Sequence, residues 1–389
     1  MKIGRVRPRQ GGFALPAAIG ALVIVGVLVT AGFYMARQEV RIGVASKHSV
    51  MALNIAQSGL NDVMANWTAY QFSKIAPWGA KELADTMANG YWNARIVNLN
   101  NNLWLLTATG TVTEGGALWS GASRQVALVA RMIFADISPP AALTTRGKTV
   151  IQGTAFVHGE DTDPPGWTGY CSGNNQDKPG IVTNDTLQLS GTGVAGITGT
   201  PSVVQDTAVV DSTFTNFGNM EWNDLVTIAK LTGKNVTGLG GTISTVLPDS
   251  IGTVCRTTTL NNWGDPRSPL AACGAYFPLV YHAGPSLTIQ SGGYGQGILL
   301  VDGNLSLRGA FVFYGLIVVQ GTFETQGAGN RVMGGVMASN TDFTNQTVTG
   351  GSVVTNSTCA VERALMNNSS LGMARPLPRG WMDLSNLVS

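Results

Sequence analysis

The stretch Arg9–Arg37, RQGGFALPAAIGALVIVGVLVTAGFYMAR, decides how the rest of the chain is read. Phe13 to Ala36 is a run of 24 residues with no charged side chain. As a helix rising about 1.5 Å per residue, it spans the roughly 30 Å hydrocarbon layer of a bilayer. Lys2, Arg5, Arg7 and Arg9 all lie ahead of the run. A positive cluster on that side keeps the N-terminus cytoplasmic and sends everything beyond Arg37 outside.

The start of the helix is marked by its prolines and glycines. Pro8 and the Gly11-Gly12 pair disfavour an earlier start. Pro16 is the fourth residue of a helix that begins at Phe13, where the backbone N–H has no intrahelical partner and its loss costs little. The helical pattern then continues past the lipid. Ala52, Ile55, Ala56, Gly59, Leu60 and Val63 recur at three- and four-residue spacing, as one buried helical face requires. A helix from Phe13 to about Asn66 is on the order of 80 Å long. A secretory signal peptide has no such continuation, although Val29-Thr30-Ala31 offers a small-residue cleavage site before Gly32.

RQGG followed by FALP and a long apolar helix resembles the class III cleavage site of type IV prepilins. A closer likeness is to minor pilins with a PilX-type N-terminus, whose small-residue outer helix ALNIAQSGLNDVM resembles. The resemblance implies that a prepilin peptidase cuts after Gly12 and methylates Phe13. It implies an inner-membrane, single-pass protein with a periplasmic outer domain that reaches the cell surface or a pilus. Its partners would be other pilin subunits, through the N-terminal helix. Most pilins carry glutamate at the fifth mature position, and here that position is Ala17. A buried carboxylate in lipid persists only when paired, so its absence fits a subunit at a filament tip or one outside any filament. Ala17, Ala21, Gly26, Gly32 and Ala36 let other helices approach closely, or simply face lipid.

Composition narrows the alternatives. The formal charge is +2, with four basic residues in the leader, so no basic stripe remains and nucleic-acid binding is not expected. Charged residues are 12% of the chain and glycine numbers 50, which suits a mostly β, extracytoplasmic protein. Cys171, Cys255, Cys273 and Cys359 form no CxxC pair and have no nearby histidine. Disulfides are expected over zinc, with three connectivities open. Cys255 with Cys273 is preferred for its short loop, and four buried thiols are the alternative.

After the helix, strands are expected at Tyr91–Leu99, Leu103–Thr113 and Ser123–Phe134, separated by the turn-prone NLNNN and TEGG. They form an antiparallel meander within 67–136, and Ser138-Pro139-Pro140 marks a boundary. Beyond it, glycines stand at 297, 303, 309, 315, 321 and 327. Apolar residues fill the second and fourth slots after most of them, as in Leu299 and Val301 or Phe311 and Phe313. Gly147, Gly153 and Gly159 share the spacing. Alternating residues point to one face of a strand, and a glycine every six residues allows a corner. Three such faces make a coil of about eighteen residues, by analogy with hexapeptide β-helices. A glycine-rich β-sandwich is the ordinary alternative.

The expected fold is thus α+β and mainly β. A leader (1–12) precedes a long helix (13–66, with 13–36 in the membrane) and a small antiparallel sheet (67–136). A β-solenoid outer domain (141–389) with an insertion at 160–296 follows. Ala310, Val312, Leu316 and Val318 are apolar on the outward side, so a further segment should cover them. GNMEWNDLVTIAKL reads as an amphipathic helix suited to that task. CAVERALMNNSSLGMARPLPRGW suggests a last short helix and a proline-rich end that caps the solenoid.

No HExxH, GxSxG or P-loop motif is present. His158 and His282 are the candidate bases outside the helix. Asp161 and Asp163 lie in the acidic stretch HGEDTD, a calcium candidate that lacks the full loop pattern and is followed by Pro164-Pro165, so a solvated loop leaving the solenoid is the favoured reading. Asp302 and Glu324 lie among the repeats, where a pair of carboxylates would suit glycan cleavage. Trp167, Tyr170, Trp222 and Trp263 would stack on sugars or be buried. A structural and interaction subunit without cofactor or catalytic site is the leading expectation. The alternatives are a tethered β-helical polysaccharide lyase or hydrolase and an unprocessed anchored adhesin. Any surface or glycan ligand is left unnamed.

Overall fold

The computed structural model describes residues 14–67, 75–100, 103–113, 121–147, 149–171, 176–185, 187–191, 196–290, 292–339 and 351–385. A single helix, α1, runs unbroken over Ala14–Ala65. Its first two thirds stand clear of the rest of the protein. The most apolar window has a mean hydropathy of 2.3 and is long enough to cross a membrane. Ala52, Ile55, Ala56, Leu60 and Val63 of its last third are buried, the face expected from their spacing.

That face packs on an antiparallel sheet. Strands β1 (Ala80–Met87), β2 (Gly90–Asn100), β3 (Leu103–Val112) and β4 (Ser123–Phe134) follow in order. Alternation along β2 and β3 sends Trp92, Ala94, Ile96, Trp104, Leu106 and Ala108 toward α1. Small residues set how close the layers come. A β-carbon on Gly59 would stand 2.8 Å from the Trp92 ring, and one on Gly110 would overlap the backbone of Ala52 and Ala56. Arg124 Nε donates to Ser49 Oγ at 2.7 Å and fixes the level at which the helix meets the sheet.

The fifth strand of this sheet comes from the other end of the chain. Gly372–Asp383 pairs antiparallel with β4, with a register shift between Pro376 and Trp381. The proline-rich end therefore completes the first sheet instead of capping the second region. An edge strand tolerates prolines because one row of its backbone groups needs no partner. The two regions meet where Ala135 bridges Gly218 and its N–H donates to Leu371 O at 2.9 Å.

From Leu143 onward the larger ladders are parallel, beside two short antiparallel pairs, Asn216–Phe217 with Met220–Glu221 and Ser250–Ile251 with Val254–Cys255. Tyr294–Val301, Val312–Val319 and Arg331–Ala338 pair in register, with Gly297 opposite Gly315 and Gly315 opposite Gly334. Ser286–Ile289, Asn304–Arg308 and Phe323–Gln326 form a second parallel ladder, with Leu287, Leu305 and Phe323 aligned. Successive strands of a ladder are thus one eighteen- or nineteen-residue turn of chain apart. The six-residue glycine spacing resolves into three columns. Gly297 and Gly315 form one, Gly303 and Gly321 another, Gly309 and Gly327 the third.

The larger ladder is assembled from both ends of this region. Arg331–Gly334 pairs with Val353–Asn356, while Val336–Ala338 pairs with Leu143–Thr145. Phe156–His158 and Ile181–Thr183 extend these two halves further. The chain enters mid-ladder, builds toward one end, crosses over, and winds back from Lys234–Asn235 and Leu279–His282. Residues 160–296 thus contribute strands of their own, many only two to four residues long.

Two apolar clusters result. Leu299, Val301, Leu305, Leu307, Phe311, Phe313, Ile317, Val319 and Phe323 fill the space between the ladders. Ile298, Leu300, Leu316 and Val318 point the other way, and helices cover them. These are α2 (Asp211–Thr215), α3 (Trp222–Leu231) and α4 (Thr358–Met366). Leu225, Val226 and Ala229 of α3 and Ala360, Ala364 and Leu365 of α4 join that outer cluster. The Asp224 carboxylate accepts the Glu221 N–H at 2.9 Å and starts α3, and Ser357 Oγ accepts the Ala360 N–H and starts α4.

Candidate functional site

Gly12 and Phe13 lie outside the described residues. The helix is described from Ala14, which puts Pro16 in the first turn, where a missing N–H is tolerated. Leu22, Leu28 and Phe33 are each more than 60% exposed, as expected of a helix that awaits lipid or other helices. At about 100° per residue, Ala17, Ala21, Gly32 and Ala36 fall within an arc of about 100°, with Gly26 on the far side. Nothing lies within 4 Å of where a β-carbon on Gly26 or Gly32 would sit. Small side chains on an open helix permit the closest helix–helix approach.

The four carboxylate candidates are dispersed. Asp161 accepts the backbone N–H groups of Gln176 (2.8 Å) and Thr358 (2.7 Å), so it ties the start of α4 to a distant loop. Asp163 is exposed and has a carboxylate oxygen within 4.8 Å of the Cys171 and Cys359 sulfurs. Those two cysteines are joined to each other, as are Cys255 and Cys273, so no thiolate is available to hold a metal there. Asp302 accepts the Tyr281 hydroxyl and, at 3.1 Å, the Trp222 indole N–H, which pins α3 to the ladder. Glu324 accepts the Gln326 amide. Among the described residues, no two of the four share a hydrogen-bond partner.

The histidines and aromatics serve the fold. His158 Nδ1 lies 2.9 Å from Thr198 Oγ1, which donates onward to Glu160. His282 is 2% exposed, and burial pushes its pKa down. Trp167 and Trp263 are buried and donate to Pro266 O and Leu260 O. Arg363 of α4 lies over the rings of Trp167 and Tyr170, 4.6 Å from each centroid, beside the Cys171–Cys359 bond.

Lys234 carried no sequence signal and proves to be one of the most constrained cations. It is 3% exposed, and its Nζ donates to Thr257 O and Thr259 O at 2.6 Å each. Burial lowers its pKa to about 8. The ammonium holds the Cys255–Cys273 loop against the end of the larger ladder. No periodicity marks such a residue, since its partners are main-chain carbonyls.

No protein-family model matches the chain, and no curated protein does. A solved structure that matches is the competence-associated pilin ComZ from Thermus thermophilus. It is 14% identical, and the match covers 87% of this chain and 97% of that one at a TM-score of 0.25. At that score the superposition carries no argument, and the fold rests on this chain's own helix, antiparallel sheet and parallel ladders.

Proposed function

We propose that the chain is a minor pilin or pseudopilin of a type IV pilus or related secretion filament. A prepilin peptidase cuts between Gly12 and Phe13 and methylates Phe13. The exposed part of α1 then packs among the helices of other pilin subunits, first in the inner membrane and then in the filament. The observation that carries this reading is the 52-residue helix itself. It passes unbroken through Val29-Thr30-Ala31, bare and apolar in its first part and packed on an antiparallel sheet in its last. Removal at Gly32 would discard the membrane-spanning half of one continuous element.

The outer domain is a β-solenoid in this reading, with three faces per coil and glycines in aligned columns. The eighteen-residue register of the parallel ladders and the three glycine columns support it. It is displayed for assembly, tip or adhesion roles. Ala17, where most pilins have glutamate, favours the tip, because a subunit there has no neighbour above it whose amino terminus needs neutralising. Of the scattered carboxylates, Asp161 and Asp302 hold separate elements together, which suits a structural subunit.

The test is co-expression with a complete filament system, with and without its prepilin peptidase, followed by shearing. The chain is expected in the sheared fraction only when the peptidase is active. Equal recovery without the peptidase overturns the proposal.

A further inference from the structure

The first sheet has two faces, and α1 covers only one. The other carries a groove of about 640 Å³ lined by all four of its consecutive strands, β1 to β4. Two rows of side chains cross it. Glu82 stands opposite Arg95, which stands opposite Thr107, and Asn93, Thr109 and Gln125 form the next row. Alternation puts all six on the side away from Trp92, Ala94 and Ile96.

These groups have spent little of their hydrogen-bonding capacity. Among the described residues, the side chains of Glu82, Asn93, Arg95, Thr109 and Gln125 make no hydrogen bond or ion pair. Thr107 Oγ1 makes one, to Arg95 O at 3.3 Å. Glu82 and Arg95 are direct cross-strand neighbours of opposite charge, a placement that ordinarily favours pairing, and yet they are unpaired.

A second observation lies at the Val97 end. Trp78 is 76% exposed and has a φ of 68°, a left-handed conformation unusual for a bulky residue. Its turn is nevertheless firmly held. Trp78 N–H donates to Asn98 O (2.6 Å), Asn98 N–H to Gly79 O (3.1 Å), and Asn98 Nδ2 to Ile75 O (2.7 Å). Asn98 directly follows the groove residue Val97. An exposed tryptophan is therefore held on a fixed, left-handed turn next to the strand end that borders the groove, whose polar side chains face water and, Thr107 aside, have no protein partner, the kind of setting where strain is retained for function.

We infer that this groove binds a neutral oligosaccharide. The one carboxylate and one guanidinium cancel, which disfavours a highly charged polymer. Amides, hydroxyls and the charged pair offer donors and acceptors side by side, matching sugar hydroxyls, which both donate and accept. The Trp78 ring supplies the apolar platform on which the flat C–H face of a sugar stacks. The groove lies opposite the face on which α1 packs, so subunits that assemble through α1 leave it open.

The experiment titrates the full chain, in a zwitterionic detergent that carries no sugar, with maltotetraose, cellotetraose and chitotetraose, read by calorimetry and tryptophan fluorescence. At least one is expected to bind saturably at one site. Arg95→Ala and Trp78→Gly should each weaken it about tenfold, the size of one lost charged hydrogen bond or stacking contact. Glycine accepts the left-handed φ, so Trp78→Gly keeps the turn, and an unchanged thermal unfolding curve confirms that both variants are folded. No saturable heat with any of the three at about 10 mM, a concentration that detects even millimolar sites, overturns the inference. So does binding that neither variant alters, or saturable binding of a neutral Gly-Ser peptide in place of the sugars. None of these outcomes depends on processing at Gly12, so the filament proposal stands or falls separately.

Discussion

Gly315 occupies a crowded position within the larger ladder, and replacing it by alanine tests whether successive strands stack as closely as the register requires. Its φ is 135°, and those of its column neighbours Gly297 and Gly334 are 111° and 139°. These values lie where residues with a β-carbon are rarely found. A β-carbon on Gly315 would overlap the Gly297 carbonyl oxygen. Relieving that overlap needs a displacement of roughly 1 Å, enough to break the two flanking ladder hydrogen bonds at about 1 kcal/mol each. The φ adds about 1–3 kcal/mol, for a total of about 3–5 kcal/mol. Gly327 supplies the control within the same repeat. Its φ is 80°, and the nearest atom to an added β-carbon is 3.8 Å away, so Gly327→Ala should cost only about 1–2 kcal/mol. Denaturant unfolding followed by tryptophan fluorescence gives the difference. Hydrogen exchange should localise the Gly315→Ala loss to 298–301 and 316–319. Equal costs for the two variants, or a Gly315→Ala cost below 1 kcal/mol, would refute the stacking argument.

Other perturbations separate other parts of the account. The Cys171–Cys359 bond spans 188 residues and Cys255–Cys273 spans 18. Chain entropy therefore predicts losses of about 5 and 3 kcal/mol for the paired serine variants. Non-reducing urea melts that reverse this order would contradict it. Asp302→Ala removes the acceptor of both Tyr281 and Trp222 and should cost about 1–3 kcal/mol, read as faster amide exchange across Trp222–Leu231; unchanged exchange there would show that the carboxylate does not pin α3. Lys234 provides a pH signature. Its folded pKa of about 8 lies below the usual lysine value of 10.5, so the unfolded chain holds more protons between those limits. Stability relative to Lys234→Met must then rise as pH climbs from about 8 to 10.5. Tyr276, pushed up to about 12 by burial, works oppositely above pH 10, where the unfolded tyrosine ionises first. Paired thermal melts of wild type and Lys234→Met check the lysine limb, and those of wild type and Tyr276→Phe the tyrosine limb; a Lys234→Met difference independent of pH would rule out a shifted lysine.

Much of the architecture is legible in local pattern. The three meander strands fall within a residue or two of their expected limits, because alternation and turn residues are both strong there. Ser123–Phe134 coincides at both ends. The glycine hexads mark aligned positions where a left-handed or crowded backbone excludes most side chains, although Gly297 and Gly315 lie inside strands instead of at corners. GNMEWNDLVTIAKL contains a helix that covers the outward apolar row, with Leu225 fully buried. Strand β1 escapes notice because AKELADTM is exposed except for the half-buried Leu83 and shows no apolar period. The C-terminal strand is hidden by its prolines, which only an edge position explains. Mid-ladder entry depends on pairing between residues almost two hundred positions apart, such as Val157 with Val354. No local signal encodes that, and Cys171 meets Cys359 only as the pair left over once Cys255 is joined to Cys273. The groove is of the same kind, since Glu82, Arg95 and Gln125 meet only once four strands are in register.

The account turns on where the mature chain begins. Intact-mass and N-terminal peptide measurements on protein isolated from cells with an active prepilin peptidase decide it. A first residue of N-methylated Phe13, with α1 retained whole, is the predicted result. A chain beginning at Gly32, or one still carrying Met1, would contradict it.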